Sequence, residues 1–430
     1  MSSSASQLAH ADVRVIIPVY KNLAATRRCV ESVYANPLPS NVAITLIVDG
    51  SPEPEVVEYC ELQGVEKGCE VIVNQRNQGF VRTANQGFAL DAAADVILLN
   101  SDTCVHGNWL ERLHNCAYLD SQTGTATPFS NNGTICSYPL FPYENALPAS
   151  WDLATLDTLF ADTNSSQSHA IPTAVGFCMY IKRPCLEATG EFDAENFGQG
   201  YGEECDFSMR ATALGWHHVL CADLFVYHEG GASFSTQSTE RKHHADGVMA
   251  RLHPTYDDLI TDFIAEDPLR PLRNRVTRAR VEQKPEDVGN VIRELSAFND
   301  ALRGEIEKEK ERTDEVRDEV DKVQSEREKL DSLLDEARTE YAATQAELDK
   351  AHTVLDEAHK ALDDLSTNFA NLQTEAGELL QQVDDLSQRL DSVGSQLHAS
   401  QDHNNALSTR LQQIENSRSW RYTRWLRREK

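Results

Sequence analysis

Two oxygen-bearing side chains, Asn100 and Asp102, follow a short apolar run at residues 95–99 and are separated by one residue. A run rich in leucine and β-branched residues, closed by small polar ones, predicts a strand buried on both faces. In an open α/β sheet, ligands bind outside the carboxyl ends of the strands, so both side chains could reach one hard cation there. The same residues also suit an Asx turn in which Asp102 caps a helix that begins near Asn108.

The elements that must position these side chains alternate along the first hundred residues. Four strands are predicted, at residues 13–20, 42–48, 70–74 and 95–99. Helices are predicted between them, from Asn22 to about Tyr34 and over residues 54–64. A third helix is predicted to begin in the segment 77–87. Alternation at this spacing implies parallel pairing and a doubly wound, Rossmann-like α/β half-domain. Such an architecture favours nucleotide binding without proving it.

The composition divides the 430-residue chain near Pro285. All fifteen prolines and all ten cysteines occur up to this residue, and the remainder contains neither. The cysteines form no CxxC pair or zinc-ligand spacing, which predicts buried thiols of a reducing compartment. No stretch resembles a signal peptide or a membrane span, so we expect a cytoplasmic protein. A net charge of −28 argues against nucleic acid as a general partner.

Six short motifs occur in an order that resembles the GT-A glycosyltransferases of family 2, the inverting group that builds bacterial polysaccharides, such as rhamnosyl- or galactofuranosyltransferases. The likeness covers roughly residues 12–265. Each motif is weak alone, but their shared order is specific. The motifs are Pro18-Val19-Tyr20, Asp49-Gly50-Ser51, Asn77-x-Gly79-Phe80, Asn100-x-Asp102-Thr103, Gly200–Arg210 and Tyr227–Ser233.

The resemblance implies an activity and a cofactor. The expected reaction moves a sugar from a nucleotide-diphosphate donor to a hydroxyl of a glycan or lipid-linked acceptor, in cell-surface polysaccharide synthesis. A divalent cation, Mn²⁺ or Mg²⁺, would meet the charge that develops on the leaving diphosphate. Asp102 and His228 would be its ligands. Asn100 departs from the aspartate common in the family, and it can coordinate only through its carbonyl. Without the family, His228 reads as a surface or capping histidine.

Donor-binding residues are expected on the same sheet edge. By resemblance, Pro18, Val19 and Tyr20 would line the base pocket, and the Asp49 carboxylate would accept from the base or ribose. Arg82 could pair with the base edge or the diphosphate, and a UDP- or dTDP-sugar is favoured over a GDP-sugar. Asp49 equally suits a plain Asp-Gly-Ser-Pro turn. The full expected donor set is Pro18, Val19, Tyr20, Asp49, Asn77, Arg82, Asn100, Ser101 and Asp102.

The acidic residues Glu203, Glu204 and Asp206 are the candidates for proton transfer. An inverting transfer needs one carboxylate near the acceptor hydroxyl, and the family assigns this role to the second acid, here Glu204. Glu203 and Asp206 would bind the acceptor or orient the site. The alternative is a helix N-terminus, where acids after two glycines favourably meet the helix dipole. The loop at 128–133 and the aromatic residues Phe197 and Tyr201 are expected to shape the sugar and acceptor sites.

The residues after Pro285 carry a heptad repeat. With Ile292 as position a, apolar residues hold the a and d phase for about eighteen heptads without a proline, which predicts a coiled coil that self-associates as a dimer or trimer. Asn299, Arg327 and Asn404 fall at a positions, where polar residues commonly fix register. The last residues, 416–430, interleave arginines with Trp420, Tyr422 and Trp425. They suit an anionic membrane surface or a partner protein, or form a frayed solubilising tail.

The predicted organisation has five parts. They are a disordered N-terminus at 1–11, a GT-A domain at 12–267, a linker at 268–287, a coiled coil at 288–415 and a basic aromatic tail at 416–430. A metal-dependent glycosyltransferase with peripheral contact at the inner face of the cell membrane fits this plan. The alternative is a coiled-coil scaffold whose head is a degenerate sugar-nucleotide binder.

Overall fold

The computed structural model describes residues 8–36, 38–198, 200–230, 236–352 and 359–416. The chain divides into two compact units, Met1–Phe298 and Asn299–Lys430.

The first half of the first unit is a parallel sheet with three helices. Its four strands pair in the order β3-β2-β1-β4, and every pair is parallel. All five residues of β4 are buried, as expected for a strand covered on both faces. The predicted doubly wound α/β half-domain is therefore confirmed. The elements are β1 Val13–Val19, α1 Leu23–Tyr34, β2 Val42–Asp49, α2 Pro54–Lys67, β3 Glu70–Asn74, α3 Phe80–Phe88 and β4 Asp95–Leu99.

The second half extends the same sheet with mostly antiparallel pairs. β8 lies between β4 and β6 and is antiparallel to both, whereas β6 and β9 are parallel. β5 and β7 both pair antiparallel with β9. The elements are β5 Thr103–Cys104, α4 Trp109–Ala117, β6 Thr123–Ser130, α5 Leu153–Thr163, β7 Ser168–Ile171, β8 Cys178–Ile181, α6 Arg183–Thr189, α7 Glu203–Ala213 and β9 His217–His228.

Apolar side chains alternate across the sheet into two core layers. Along β1, Val15 and Ile17 enter the cluster shared with α1, α2 and α4, whereas Ile16 enters the cluster shared with α3 and α7. All ten cysteines are free thiols, and eight of them are buried. The expectation of buried thiols is thus confirmed.

The end of the first unit differs from the predicted linker at 268–287. Helix α10, Arg270–Gln283, buries Leu272 and Val276 in a third cluster with Phe160 of α5. Arg273 and Arg280 are buried there because acidic partners neutralise them. Before α10 come α8, Thr236–Leu252, and α9, Tyr256–Glu266, and a short 3₁₀ turn follows at Pro285–Asp287.

The described N-terminal residues begin at Leu8. Leu8 is buried, and its backbone exchanges hydrogen bonds with the Asn41 side chain, so part of the predicted disordered segment is anchored. Residues 1–7 lie outside the described residues, as does the predicted basic tail after Asn416.

The second unit consists of two long helices that run antiparallel. They are α11, Val288–His352, which starts in the first unit, and α12, His359–Asn416. Thr313 Oγ1 lies 3.0 Å from Ser400 Oγ, and the rings of Tyr341 and Phe369 lie 4.4 Å apart. Later residues of α11 therefore contact earlier residues of α12, as in an antiparallel pair. Among the residues of this unit whose burial the structure describes, the buried apolar ones occupy predicted a or d positions: Leu302, Ile306, Val323, Leu334, Leu386 and Leu407.

Within the described ranges, no helix has both the length and the apolar character needed to cross a bilayer.

Candidate active site

The ends of β4 and β9 meet at one edge of the sheet. Thr103 of β5 lies opposite His228 in an antiparallel pair, and the Glu229 amide donates to the Asp102 carbonyl. This pairing brings His228 Nε2 to 3.3 Å from Asp102 Oδ1. The two side chains predicted as metal ligands therefore lie side by side.

His228 is fixed from three sides. Its Nδ1 lies 2.7 Å from the Asn132 carbonyl, which can only accept, so this nitrogen carries the proton and Nε2 faces Asp102. The Asn131 side chain accepts from the His228 amide and donates to the His228 carbonyl. The Phe177 ring stacks on the imidazole at 5.4 Å. Burial lowers the pKa of His228, but the hydrogen bond and charge of Asp102 outweigh burial and raise the pKa overall.

Gly230, two residues after β9, lies close to the Asn132 side chain. Its φ is +60°, in the left-handed region, and a Cβ at this position would collide with the Asn132 amide nitrogen. A side chain at this position would therefore require the Asn132 side chain to move.

Asn100 supplies a further test of whether a cation suits this edge. Its Oδ1 is buried and has no hydrogen-bond partner within the part of the chain that the structure describes. Its backbone is fully used, because the amide donates to the Phe177 carbonyl and the carbonyl accepts from the Thr103 hydroxyl. A buried amide oxygen without a donor fits a site completed by a bound cation. The residues present therefore fit a divalent cation.

The donor side of the edge is built around Asp49. Its carboxylate accepts from the amides of Gln78 and Gly79 at 2.9 Å each and from the Asn74 side chain at 3.2 Å. Asn77 Oδ1 also accepts from the Gly79 amide. These bonds hold the turn before α3 against the end of β2. Gly50, at φ +59°, is required because a Cβ there would overlap the backbone of Arg76 and Asn77.

The remaining donor-side candidates differ in exposure. Tyr20 and Arg82 are exposed at this edge, and Pro18 and Ser101 are partly exposed. Val19 is buried in the core, so only its backbone could contact a base. The contacts of these residues with a donor remain predictions.

The acidic pair begins α7 after a strained turn. Gly200, Tyr201 and Gly202 all have positive φ, which costs energy for tyrosine and is typical of functional sites. Glu203 is buried, and its Oε2 has no hydrogen-bond partner among the described residues. Burial raises the pKa of Glu203, and the charge of Glu204 raises it further. Burial also raises the pKa of Glu204, which is partly exposed.

Two adjacent residues connect the acidic pair to His228. A Cβ on Gly176 would lie 3.7 Å from Glu204 Cγ, so this glycine packs directly against the Glu204 side chain. The next residue is Phe177, whose ring stacks on His228. Glu204 and His228 therefore border the same two-residue segment.

Asp206 is occupied by partners within the protein. Its carboxylate accepts from Arg210 Nε and from His253 Nε2, both at 2.8 Å. These contacts suit the predicted orienting role, since they join α7 to the residues after α8, and they leave little capacity for binding an acceptor.

Comparison with known proteins identifies the family. The model of the family described as glycosyltransferase-like family 2 matches residues 10–246, more than half of the chain. The chain belongs to this family. The sheet order and the match together confirm the predicted GT-A type of α/β fold and a glycosyltransferase domain.

Curated relatives of this family-2 chain include two glycosyltransferases. The chain is 27% identical over 217 residues to the glycosyltransferase AglE of Haloferax volcanii, covering 50% of this chain and 66% of that protein. It is 28% identical over 208 residues to a pre-mycofactocin glycosyltransferase of Mycobacterium tuberculosis, covering 48% and 40%. The chain thus spans less than two thirds of these relatives' lengths.

Two solved structures show a weaker likeness. GalNAc-T7 with UDP, GalNAc and Mn²⁺ is 17% identical, with a TM-score of 0.43 and coverage of 65% of this chain and 57% of that one. The mannosyltransferase PcManGT from Pyrobaculum calidifontis, in complex with GDP-Man and Mn²⁺, is 12% identical, with a TM-score of 0.38 and coverage of 69% and 77%. Likenesses this weak do not bear on substrate or metal.

Several residues of the family-2 site were not individually predicted from the sequence. Asn131 and Asn132 were expected only as part of a loop that shapes the site, and Gly176 and Phe177 were missed. An ion pair between Arg28 and Glu229 at the same edge was also missed. The available signal was the Gly176-Phe177 pair directly before the buried strand β8, where a glycine permits close approach.

Proposed function

We propose that the first unit is an inverting, metal-dependent glycosyltransferase that moves a sugar from a nucleotide-diphosphate donor to an acceptor hydroxyl. The observation that carries this proposal is the arrangement around Gly176 and Phe177. Glu204 borders the first residue and His228 borders the second, with Asp102 beside His228. A candidate base and a candidate cation site therefore border adjacent residues of one segment, which supports their action in one reaction.

The cation would be held by Asp102 and His228, with the Asn100 amide oxygen available as a neutral ligand. When bound, Mn²⁺ or Mg²⁺ supplies positive charge to the leaving diphosphate. Within the described ranges, no group of three or more His, Cys, Asp or Glu side chains could hold a metal. The protein would thus provide a partial ligand set that donor oxygens complete.

The chain's own residues would perform the proton transfer. The acceptor oxygen forms a bond to the anomeric carbon while the bond from that carbon to the diphosphate oxygen breaks, and its electron pair leaves with the diphosphate. Glu204 takes the proton of the acceptor hydroxyl. Its raised pKa makes it a stronger base than an exposed glutamate. Asp49 acts on the donor by holding the turn at 77–79 in place.

The biological setting is part of the proposal. We infer a UDP- or dTDP-sugar donor and a glycan or lipid-linked acceptor of cell-surface polysaccharide synthesis, from the family resemblance. The basic aromatic residues 416–430 would contact an anionic membrane surface from the cytoplasmic side.

Self-association through the helical unit also remains a proposal. Self-association was predicted because a single helix would expose its apolar seam. However, α11 and α12 of one chain already pack against each other. Oxidative cross-linking of Tyr341→Cys tests the arrangement. A parallel dimer would bring two copies of this position together and yield a cross-linked dimer, whereas the intrachain hairpin leaves the variant monomeric on a non-reducing gel. Wild type, whose native cysteines all precede residue 222, is the control.

A binding screen followed by turnover tests the activity. Thermal unfolding is measured with UDP-, dTDP- and GDP-sugars, each with and without Mn²⁺ or Mg²⁺. We expect stabilisation that needs both sugar nucleotide and cation, since a ligand stabilises the state that binds it. Stabilisation without release of nucleotide in the presence of any acceptor extract would favour a scaffold with a degenerate head. Absence of stabilisation would contradict the proposal.

A further inference from the structure

The loop that fixes His228 continues into a longer segment, which we call the wall loop, residues 131–151. It begins directly after β6. The side chain of its first residue, Asn131, makes hydrogen bonds to both the amide and the carbonyl of His228. The loop closes on itself because the Asn145 amide donates to the Asn131 carbonyl and the Asn131 side chain donates to the Asn145 carbonyl. The Tyr138 amide donates to the Ser130 carbonyl at 2.8 Å. Asn131 is thus held by the loop that it starts.

The far side of the wall loop contacts a second segment, the root, residues 280–298. Trp151 Nε1 donates to Asp287 Oδ2, and Lys284 Nζ donates to the Ser150 carbonyl. The rings of Tyr143 and Phe298 meet edge to face at 5.6 Å. These contacts join both the middle and the end of the wall loop to the start of α11.

Arg280 is the centre of this junction. Its side chain is fully buried, and its Nε donates to Asp287 at 2.9 Å. Both terminal nitrogens donate to the two oxygens of Glu294 at 2.9 Å, a bidentate arrangement that fixes direction as well as distance. One of them also lies 3.3 Å from the Tyr138 hydroxyl. A continuous set of contacts therefore runs from α11 through Arg280 and Tyr138 to Asn131.

We propose that Arg280 is a positioning residue for His228, acting through Tyr138 and the wall loop. The role rests on the proposed function, in which His228 holds a cation. In this view the first turns of α11 belong to the catalytic unit and do not merely connect it to the helices. Loosening the root would leave Asp49 and the nucleotide side unchanged but would let His228 move relative to Asp102.

The test uses the full chain with Glu294→Gln and Glu294→Ala. Removing Arg280 itself would leave buried carboxylates without a partner and could prevent folding. Hydrogen exchange of the wall-loop amides, including those of Tyr138 and Asn145, is measured without ligand. Titration of Mn²⁺ in the presence of UDP, followed by the EPR signal of free Mn²⁺, gives the second readout. We expect faster wall-loop exchange and a Mn²⁺ affinity lower by about 10-fold, the small end of effects seen for residues behind a metal ligand.

A matched control separates positioning from general stability. Arg183 is another buried arginine, which donates to the carbonyls of Ala94 and Phe88 at the opposite end of β4. Arg183→Gln should lower the unfolding temperature without changing wall-loop exchange or Mn²⁺ affinity. Combining Glu294→Ala with Asn131→Ala should cost little more Mn²⁺ affinity than Asn131→Ala alone, because both act on one path.

Two outcomes would overturn the inference. Unchanged wall-loop exchange in Glu294→Ala would show that the root does not hold the loop. Additive losses of Mn²⁺ affinity in the double variant would show that the root acts by another route. If wild type itself binds no Mn²⁺ with either UDP or dTDP, the proposed function fails, and this is seen before any variant is compared.

Discussion

Asp49 and Glu203 are acidic residues of the same unit with different hydrogen-bond states. The Asp49 carboxylate accepts from two backbone amides and one side chain, all within the protein. Glu203 is as deeply buried, yet its Oε2 has no partner in the described part of the chain. The Asp49 carboxylate is already satisfied by the fold, whereas Glu203 retains one acceptor oxygen without a partner in the described part of the chain.

This difference separates residues that build the site from residues that can react in it. A satisfied carboxylate stabilises the folded state and holds a loop, and its loss should appear chiefly in stability. An unsatisfied buried acid has a raised pKa and keeps its proton affinity available for a substrate. An acidic residue thus serves structure at Asp49, and in our proposal Glu204, beside the unsatisfied Glu203, serves chemistry.

The largest expected effect is on turnover in Glu204→Gln. The amide keeps the size of the side chain but cannot take the proton, so turnover should fall by roughly two to four orders of magnitude while donor affinity persists. Steady-state kinetics and donor titration measure both quantities. Glu203→Gln is the matched control and should cost much less turnover.

Equal losses in the two glutamine variants would remove the distinction between the acids. In wild type, turnover at low acceptor concentration should rise as pH passes the raised pKa of the pair, because the base must be deprotonated to act. NMR of the product gives an independent check, since retention of configuration would exclude a single displacement.

The next effect concerns Asp102→Asn and His228→Ala. Each variant removes one of two adjacent groups, so donor affinity in Mn²⁺ should fall by about 10- to 100-fold. Donor affinity measured in chelator should be weak and equal for wild type and both variants. Glu229→Gln, which alters a neighbouring carboxylate paired with Arg28, is the control and should change little. Wild-type affinity that does not depend on Mn²⁺ would contradict the cation assignment.

The sequence was informative where function and local pattern coincide. The strand before Asp102 was predicted from its apolar run, and the fold confirmed both the strand and its burial. His228 was identified only by resemblance, because nothing local distinguishes a ligand from a capping histidine. Its position beside Asp102 depends on the pairing of β5 with β9. A contact between strands that are far apart in the sequence produces no residue spacing from which it could be predicted.

The helical region shows a different limit. The heptad phase predicted a long apolar seam, and the buried residues of α11 and α12 do occupy it. The phase alone did not predict that the helices fold back on each other, because the repeat fits both arrangements. Thr313 and Ser400 were a missed signal, since two polar residues at core positions satisfy each other only when the helices run antiparallel. The arginine-rich α10 was likewise placed in a linker, because its sequence does not show that Arg273 and Arg280 are buried against Asp267, Asp287 and Glu294.

A smaller effect is expected for Asp49→Asn. Asparagine keeps one acceptor oxygen but places its NH₂ donor opposite a backbone N–H donor, so we expect a loss of about 1–3 kcal/mol in unfolding free energy. Urea unfolding measures this change. Asp91→Asn is the control, since Asp91 also accepts from two backbone amides but is partly exposed, and it should lose less. If Asp49→Asn keeps its stability and loses donor affinity, Asp49 would act on the nucleotide directly.

The smallest effect is expected for Glu203→Gln. Its change in stability should have the opposite sign to that of Asp49→Asn. Burial and the neighbouring Glu204 raise the pKa of Glu203 in the folded state. Below about pH 4.3, the ordinary pKa of glutamate, the folded and unfolded states both carry the proton, and Glu203 adds no pH dependence. As pH rises from there to the raised folded pKa, the unfolded state releases its proton first, so the free energy of unfolding falls. Glu203→Gln removes this loss, and the variant should gain stability relative to wild type as pH increases, as urea unfolding across pH 4–9 would show. A loss of stability at every pH, like that expected for Asp49→Asn, would mean that Glu203 has a partner in the folded protein and that the two acidic sites do not differ.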